Sequence, residues 1–195
     1  MTMGNQPVIP KAVDRPTAIQ WAQALVDAGD VVFLDTETTG LGSQAEIVDL
    51  AIIAVDGTVL INQLVRPVRP IPIDAMLIHG ITNVHVSDAP TWCDVLEMAR
   101  PVISGRIVVA YNSSFDRGMM QQCCAATTIE MPPVAWECAM RAYAAFRKDA
   151  RLRAGGYRWR PLHEAAESFR LSIPTHRALA DAMACRGVVL GMAQR

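Results

Sequence analysis

The 195-residue chain is 51% hydrophobic and 19% charged, with a formal net charge of −1. This is enough chain to bury a sizeable core without a disulfide scaffold, and it holds no apolar run near the ~20 residues that a membrane-spanning helix requires. A charge so close to zero excludes a protein that coats nucleic acid through bulk positive charge, though not an enzyme that grips only a chain end.

The first residues, MTMGNQPVIPKAVDRP, lack the basic-then-apolar pattern of a secretory signal. Residues 1–16 read as a loosely ordered lead-in, and the chain as a cytoplasmic protein without membrane association. Cys93, Cys123, Cys124, Cys138 and Cys185 form no CxxC pair and are odd in number, so reduced thiols are expected.

Residues 17–28 place apolar side chains at helical spacing, with Gly29 as the stop. Val31 to Leu34 form a β-branched and aromatic run that reads as a strand, after which the polar and turn residues Asp35 to Gly40 take over. AEIVDLAIIAV and TVLINQLV flank Asp56-Gly57 as a hairpin, closed off by Pro67, Pro70 and Pro72. A helix follows near 91–104, then the strand Arg106 to Tyr111, a helix over 116–126, a strand at 133–136 and a helix to about 148. The last helices cover roughly 161–169 and 177–193. A hairpin followed by alternating strand and helix implies an α/β fold, a mixed sheet with helices on both faces. No repeat or linker divides it, so residues 1–195 are expected to form one domain.

Three polar clusters interrupt this apolar pattern. Asp35 and Glu37 stand two apart at a strand end, where period-2 geometry points both side chains to one face. They are either a solvated pair or ligands of a hard divalent cation such as Mg²⁺ or Mn²⁺. Tyr111-Asn112-Ser113-Ser114-Phe115-Asp116 follows directly on the strand IVVA. Open α/β sheets bind ligands beyond the carboxyl ends of their strands, where both Asp35 and Asp116 stand; equally, Ser114 or Asp116 could serve only to start the next helix. In His176-Arg177-Ala178-Leu179-Ala180-Asp181, five helical positions would turn the two end residues ~140° apart. They share a site only if His176 precedes the helix, which Pro174-Thr175 favours. An imidazole titrates close to neutral pH and suits a general base beside a metal, but a surface histidine at a helix start looks the same in sequence.

In this order and spacing the segments resemble the DEDDh family of 3′→5′ exonucleases, which includes the proofreading epsilon subunit of bacterial replicative polymerase and ribonuclease T. FLDTETTGL is similar to the family's first motif, VAYNSSFD to its second and HRALADA to its third, with IHGIT at 78–82 also familiar. The resemblance spans residue 31 to about 187. It implies a ribonuclease-H-like, five-stranded mixed sheet whose second strand runs antiparallel. It implies two Mg²⁺ (or Mn²⁺) ions held by Asp35, Glu37, Asp116 and Asp181, with Asp35 bridging, Glu37 and Asp181 on the ion that binds the attacking water, Asp116 on the second, and His176 activating that water. Thr38, Ile78, His79 and Phe115 match positions that line the terminal-nucleotide pocket. Asn112 matches the family's usual asparagine, expected to brace the second motif beside the substrate.

The implied partner is a nucleic acid with a free 3′ end, single-stranded DNA first and short RNA or tRNA ends as the alternative; a non-catalytic binding module is the reading from another class. Asp49 stands where relatives carry Glu, and its role is open. The sequence given ends soon after the third motif, so a polymerase or clamp association is not implied, and a homodimer is left open. The segment Arg147 to Arg160 holds six basic residues and one acid, with Tyr157 and Trp159 interleaved. Arg158 and Arg160 are expected to guide the upstream strand by phosphate contacts.

Overall fold

Asp14 starts the first helix. Its carboxylate accepts from the Thr17 N–H at 3.0 Å while the Thr17 hydroxyl takes the Asp14 N–H at 3.0 Å, a reciprocal cap that leads into α1 (Arg15–Ala28). Gly29 ends it at φ 71°, a conformation that costs a glycine little. The computed structural model describes residues 9–149 and 156–195. After α1 come β1 (Val31–Thr38), β2 (Ile47–Ala54), β3 (Val59–Leu64), α2 (Ile73–His79), α3 (Trp92–Ile103), β4 (Ile107–Ala110), α4 (Ser113–Thr127), β5 (Ala135–Cys138), α5 (Ala139–Arg147), α6 (Leu162–Ser168) and α7 (Ala178–Ala193). Among the described residues no helix is long and apolar enough to cross a membrane, and all five cysteines are unpaired.

The five strands lie in the order β3-β2-β1-β4-β5. β2 pairs antiparallel with both β1 and β3, while β4 runs parallel to β1 and β5. This is the expected mixed sheet with its second strand reversed. Alternation along β1 sorts the cores. Val31 and Phe33 pack with Ala51, Ile53, Ile107 and Val109 under α1, α5 and α7, whereas Val32 and Leu34 pack with Leu50, Ile52 and Val108 under α3 and α4. Both faces of the central strands are therefore covered, as their continuous apolar runs require.

The element boundaries differ from the sequence reading in ways that matter for the site. β1 does not stop at Leu34 but continues to Thr38, because β2 supplies partners as far as Thr38↔Ile47. The carboxylates at 35 and 37 thus sit on a strand held on one side by a full ladder. The residues after Pro72 form α2, a short helix missed because prolines surround its start and Ile73, Leu77 and Ile78 are exposed. It is anchored by Ala75, which joins Val48, Ile71, Ile81 and Val86 in a small separate core. α4 begins at Ser113, three residues earlier than expected, which places Asp116 inside the first turn.

The connection between α6 and α7 folds back across α7 itself. Cβ atoms added at Gly187 and Gly191 would lie 2.6 Å from Leu171 and 2.5 Å from Phe169, respectively. The two glycines, one helical turn apart, make the groove in which this connection lies. The Phe169 ring is fixed against Tyr143 at 6.1 Å and Phe146 at 5.8 Å between centroids. Gly191→Ala is therefore expected to lower stability by about 1–3 kcal/mol through overpacking, although alanine favours a helix by ~1 kcal/mol over glycine. A thermal melt checks this: an unchanged or raised Tm would show that the aromatic cluster yields.

Candidate active site

The apolar stripe of β1 ends in acid. Beyond Phe33 the same strand face carries Asp35 and Glu37, and across the ladder Asp35 stands opposite Ala51 and Glu37 opposite Asp49. The pairing shifts register between Glu37 and Thr38, a bulge of the kind that re-aims side chains at strand ends. Asp181 comes from the first turn of α7 and is buried. Its Oδ1 accepts from the Thr175 N–H at 3.1 Å, tying the preceding turn to the helix.

His176 lies ahead of α7, in that turn, with φ 54°. This left-handed backbone is uncommon for a non-glycine residue, and such conformations concentrate at functional sites. It leaves the imidazole exposed yet close to the acids: ligand atoms of Glu37, His176 and Asp181 all lie within 4.8 Å of one another.

Asp116 reaches the site from the opposite sheet face. Its Oδ1 accepts from the Thr36 hydroxyl at 2.9 Å, and the residue is 3% exposed. It does not serve as a helix cap. Asn112 occupies the N-cap position without a capping hydrogen bond, and its Oδ1 instead accepts from the Ser114 hydroxyl at 3.1 Å. Thr36, facing α4 between the two β1 carboxylates, was not singled out from sequence, because the residue it holds is 80 positions away.

Burial raises the proton affinity of Asp35, Glu37, Asp116 and Asp181, and at Asp35 and Glu37 neighbouring acids raise it further. Burial first, then the charges of Asp116, Asp181 and Glu37, hold the Asp35 carboxyl well above the usual carboxylate range. Glu37 is pushed up to about 8 by burial and by Asp181, Asp49 and Asp116, with Arg177 opposing. Asp116 rises to about 7 through burial, against the lowering effect of its Thr36 hydrogen bond. Asp181 is raised by burial and partly offset by His176 and the N–H groups of the turn. A divalent cation relieves such repulsion, and a set of hard oxygen donors fits Mg²⁺ or Mn²⁺.

Asp49 has a distinct position. It is 1% exposed, and its Oδ2 accepts from Arg177 Nε at 2.9 Å and from the Ala178 N–H at 3.4 Å. It thus satisfies a free N–H at the start of α7 from a neighbouring strand, fixing the helix that carries Asp181 against the strand that carries Glu37. Its Oδ1 has no partner among the described residues.

The residues expected to line a nucleotide pocket are distributed around this centre. Thr38 is buried, and its hydroxyl donates to the Gly40 carbonyl at 2.8 Å. Ile78 is 60% exposed at the end of α2. His79 is buried beside it and accepts from the Ile81 N–H through Nδ1 at 3.0 Å, so the neutral ring carries its proton on Nε2, which is buried without a partner among the described residues. Phe115 is half-buried against the α3–α4 core.

The expectation for Arg160 needs correction. Its guanidinium is bound to Asp149 at 2.9 Å and to Glu164 at 2.8 Å, while its carbonyl accepts from the Tyr111 hydroxyl at 2.9 Å. These contacts fasten the chain entering α6 to Asp149 after α5 and to the second motif, and they commit three of the five guanidinium N–H groups to acids of this chain. Arg158 is exposed. Arg151 and Arg153 of the same basic segment lie outside the described residues.

Comparison with known proteins agrees with this geometry. The family model of the RNase T exonucleases matches residues 32–189. A protein of Escherichia phage 186 described as an uncharacterized exonuclease is 36% identical over 173 residues, 85% of this chain and 89% of the relative. Exodeoxyribonuclease 10 of Escherichia coli strain K12 is 39% identical over 111 residues, which are 55% of this chain and 44% of that protein, less than half its length. Among solved structures, exonuclease X in complex with 5′ overhanging duplex DNA superposes with a TM-score of 0.62 at 29% identity, covering 84% of this chain and 91% of that one. With a ribonuclease-H-like sheet, a converging set of acids and a family match across most of its length, the chain belongs to the RNase T family of DEDDh 3′→5′ exonucleases.

Proposed function

We propose that this protein removes nucleotides one at a time from the 3′ end of single-stranded DNA, the chain acting as one exonuclease domain, with two Mg²⁺ or Mn²⁺ ions held by Asp35, Glu37, Asp116 and Asp181 and with His176 as general base. The observation that carries this reading is the gathering of Glu37, His176 and Asp181 within 4.8 Å beside two further acids whose protons are held by burial. DNA is favoured over RNA by the named activity of one relative and the duplex in one solved structure.

When bound, the pair of cations supplies charge for the phosphodiester oxygens and lowers the pKa of the attacking water. The four carboxylates hold that charge in place. His176, exposed at the open edge of the site, takes the proton of the attacking water and passes it to solvent. The oxygen bonds to phosphorus, the bond to the upstream 3′-oxygen breaks, and that oxygen takes up a proton from solvent, so the products are a 5′-mononucleotide and a strand shortened by one residue with a new 3′-hydroxyl. Thr38, Ile78 and Phe115 line the space for the terminal nucleotide, with Asn112 bracing the second motif and the buried His79 holding the end of α2 beside it.

A panel of 3′-labelled single-stranded DNA, duplex DNA and RNA tests the substrate. Release of mononucleotides fastest from single-stranded DNA is expected, and a preference for RNA overturns the DNA assignment. Activity should vanish in EDTA and return with Mg²⁺ or Mn²⁺ but not Ca²⁺, whose looser coordination misplaces the water. Asp35→Asn and Asp181→Asn should each cut turnover by several orders of magnitude, and near-normal rates in both would remove them from the ligand set. His176→Ala should slow the chemical step by ~10²–10⁴-fold, leave substrate binding little changed, and flatten the acid limb of the rate–pH profile. Persistence of that limb shows that another group is the base.

The acids also set a stability signature. Without divalent cations the folded chain keeps protons on Glu37 and Asp116 up to about 8 and about 7, whereas the unfolded chain releases them near ~4. The native state therefore binds more protons through this window, and the free energy of unfolding falls as pH rises from about 5 to about 8. Melts in EDTA should show Tm dropping across that range, with Asp35→Asn raising Tm at the alkaline end by ~2–4 °C for each kcal/mol of repulsion removed. A Tm that is flat or rising over the same range contradicts the assigned crowding.

A further inference from the structure

The N-terminal approach to α1 lies against the starts of α4 and α5, and the three enclose a second concavity of about 420 Å³. Lys11, Arg117 and Arg141 line it, together with Ser114 and Trp136. All three basic residues are exposed. Among the described residues, Lys11 and Arg117 make no ion pair, and the Arg141 guanidinium lies 6.0 Å from the centre of the Trp159 ring. The one acid in the lining, Glu137, is occupied. Its Oε2 accepts from Trp21 Nε1 at 2.8 Å, and its burial favours the neutral form. In a chain of net charge −1, this is a cationic hollow with the Trp136 indole in its wall.

Its place relative to the acids is fixed by α4. Arg117 directly follows Asp116, and Ser114 precedes it by two residues, so one helical turn carries an acid toward the β1 carboxylates and a base toward the hollow. We propose that this hollow is a subsite for the substrate strand on the 5′ side of the scissile end, with Lys11, Arg117 and Arg141 binding its phosphates and Trp136 offering a stacking face to its bases. The assignment rests on the exonuclease reading of the neighbouring site. It differs from a role for the basic segment ending at Arg160, whose guanidinium is held by Asp149 and Glu164. Phosphate charge and base stacking are common to all sequences, so the subsite recognises a phosphodiester strand and not a particular base.

The test compares the wild type with the triple variant Lys11→Ala/Arg117→Ala/Arg141→Ala on a dinucleotide and on single strands of increasing length up to about a dozen nucleotides, in DNA and RNA arms, across a salt series. For the wild type, KM should fall as the strand lengthens. In the variant that gain should be lost, raising KM for the longest strand by about tenfold or more, and the slope of log affinity against log salt should shrink by up to ~0.7 for each of the three lost phosphate contacts. Turnover of the dinucleotide, whose single phosphodiester is the scissile one and which carries no upstream phosphate, should stay within about twofold. An unchanged salt slope on long strands, or equal loss on the dinucleotide, overturns the subsite. So does a rise in KM confined to duplex substrates, which would place the complementary strand there. Failure of the wild type to cleave any substrate would instead overturn the exonuclease reading itself. Circular dichroism and Tm of the variant separate loss of contact from loss of fold, and Arg141→Lys, which retains charge, should restore most of the salt slope when the other two residues are native.

Discussion

Repulsion among buried carboxylates at the end of β1 is the constraint on which the rest of the site depends. Asp35 and Glu37 share one strand face, Asp181 approaches from α7, Asp116 reaches over the end of the sheet from α4, and Asp49 stands across the ladder from Glu37. Left alone, such a group of charges would push these elements apart. Three features hold it. The β1–β2 ladder continues past the last apolar residue, the Thr36 hydroxyl fixes Asp116, and Arg177 with the Ala178 N–H neutralises and binds Asp49. Burial raises the proton affinity of Asp35, Glu37, Asp116 and Asp181, and at Asp35 and Glu37 the charges of the neighbouring acids add to it. A site in that condition gains from divalent cations.

The apolar framework explains how the chain tolerates this. Two cores sandwich the sheet, and β1, β2 and β4 contribute side chains to both faces. α7 joins these two regimes. Its far end packs Val188, Val189 and Met192 into the core, while its first turn presents Asp181 to the acids. Gly187 and Gly191 let the α6–α7 connection lie across the helix, so the turn that carries His176 is continuous with a segment clamped to the core. The histidine is thus exposed on a short, strained turn with firm anchorage on either side.

Much of this was legible in the sequence where it depends on periodicity. The alternation of β1 predicted that Asp35 and Glu37 would share a face, and the angular argument required His176 to precede its helix, as it does. The mixed sheet with a reversed second strand followed from the order of elements and from the family resemblance. What depends on distant pairing was not legible. The opposition of Glu37 and Asp49 is set by a register that the sequence does not print, and Thr36 meets Asp116 only through the fold. α2 escaped notice because prolines flank its start and its outward positions are apolar. Arg160 is instructive for another reason: Glu164 lies four residues ahead of it, a spacing that signals a helical ion pair, and weighing that spacing would have withdrawn it from the strand-binding set.

To hold divalent cations, Asp35, Glu37 and Asp116 must surrender the protons that burial keeps on them. Isothermal titration of Mn²⁺ into the metal-free protein, repeated near pH 7 in buffers of different ionisation enthalpy, counts those protons directly, because carboxylates must deprotonate to bind metal. A net release of about one proton or more per protein molecule is expected on saturation, diminishing as the titration is moved above pH 9. Binding without proton release near pH 7, or no binding at all, would contradict it.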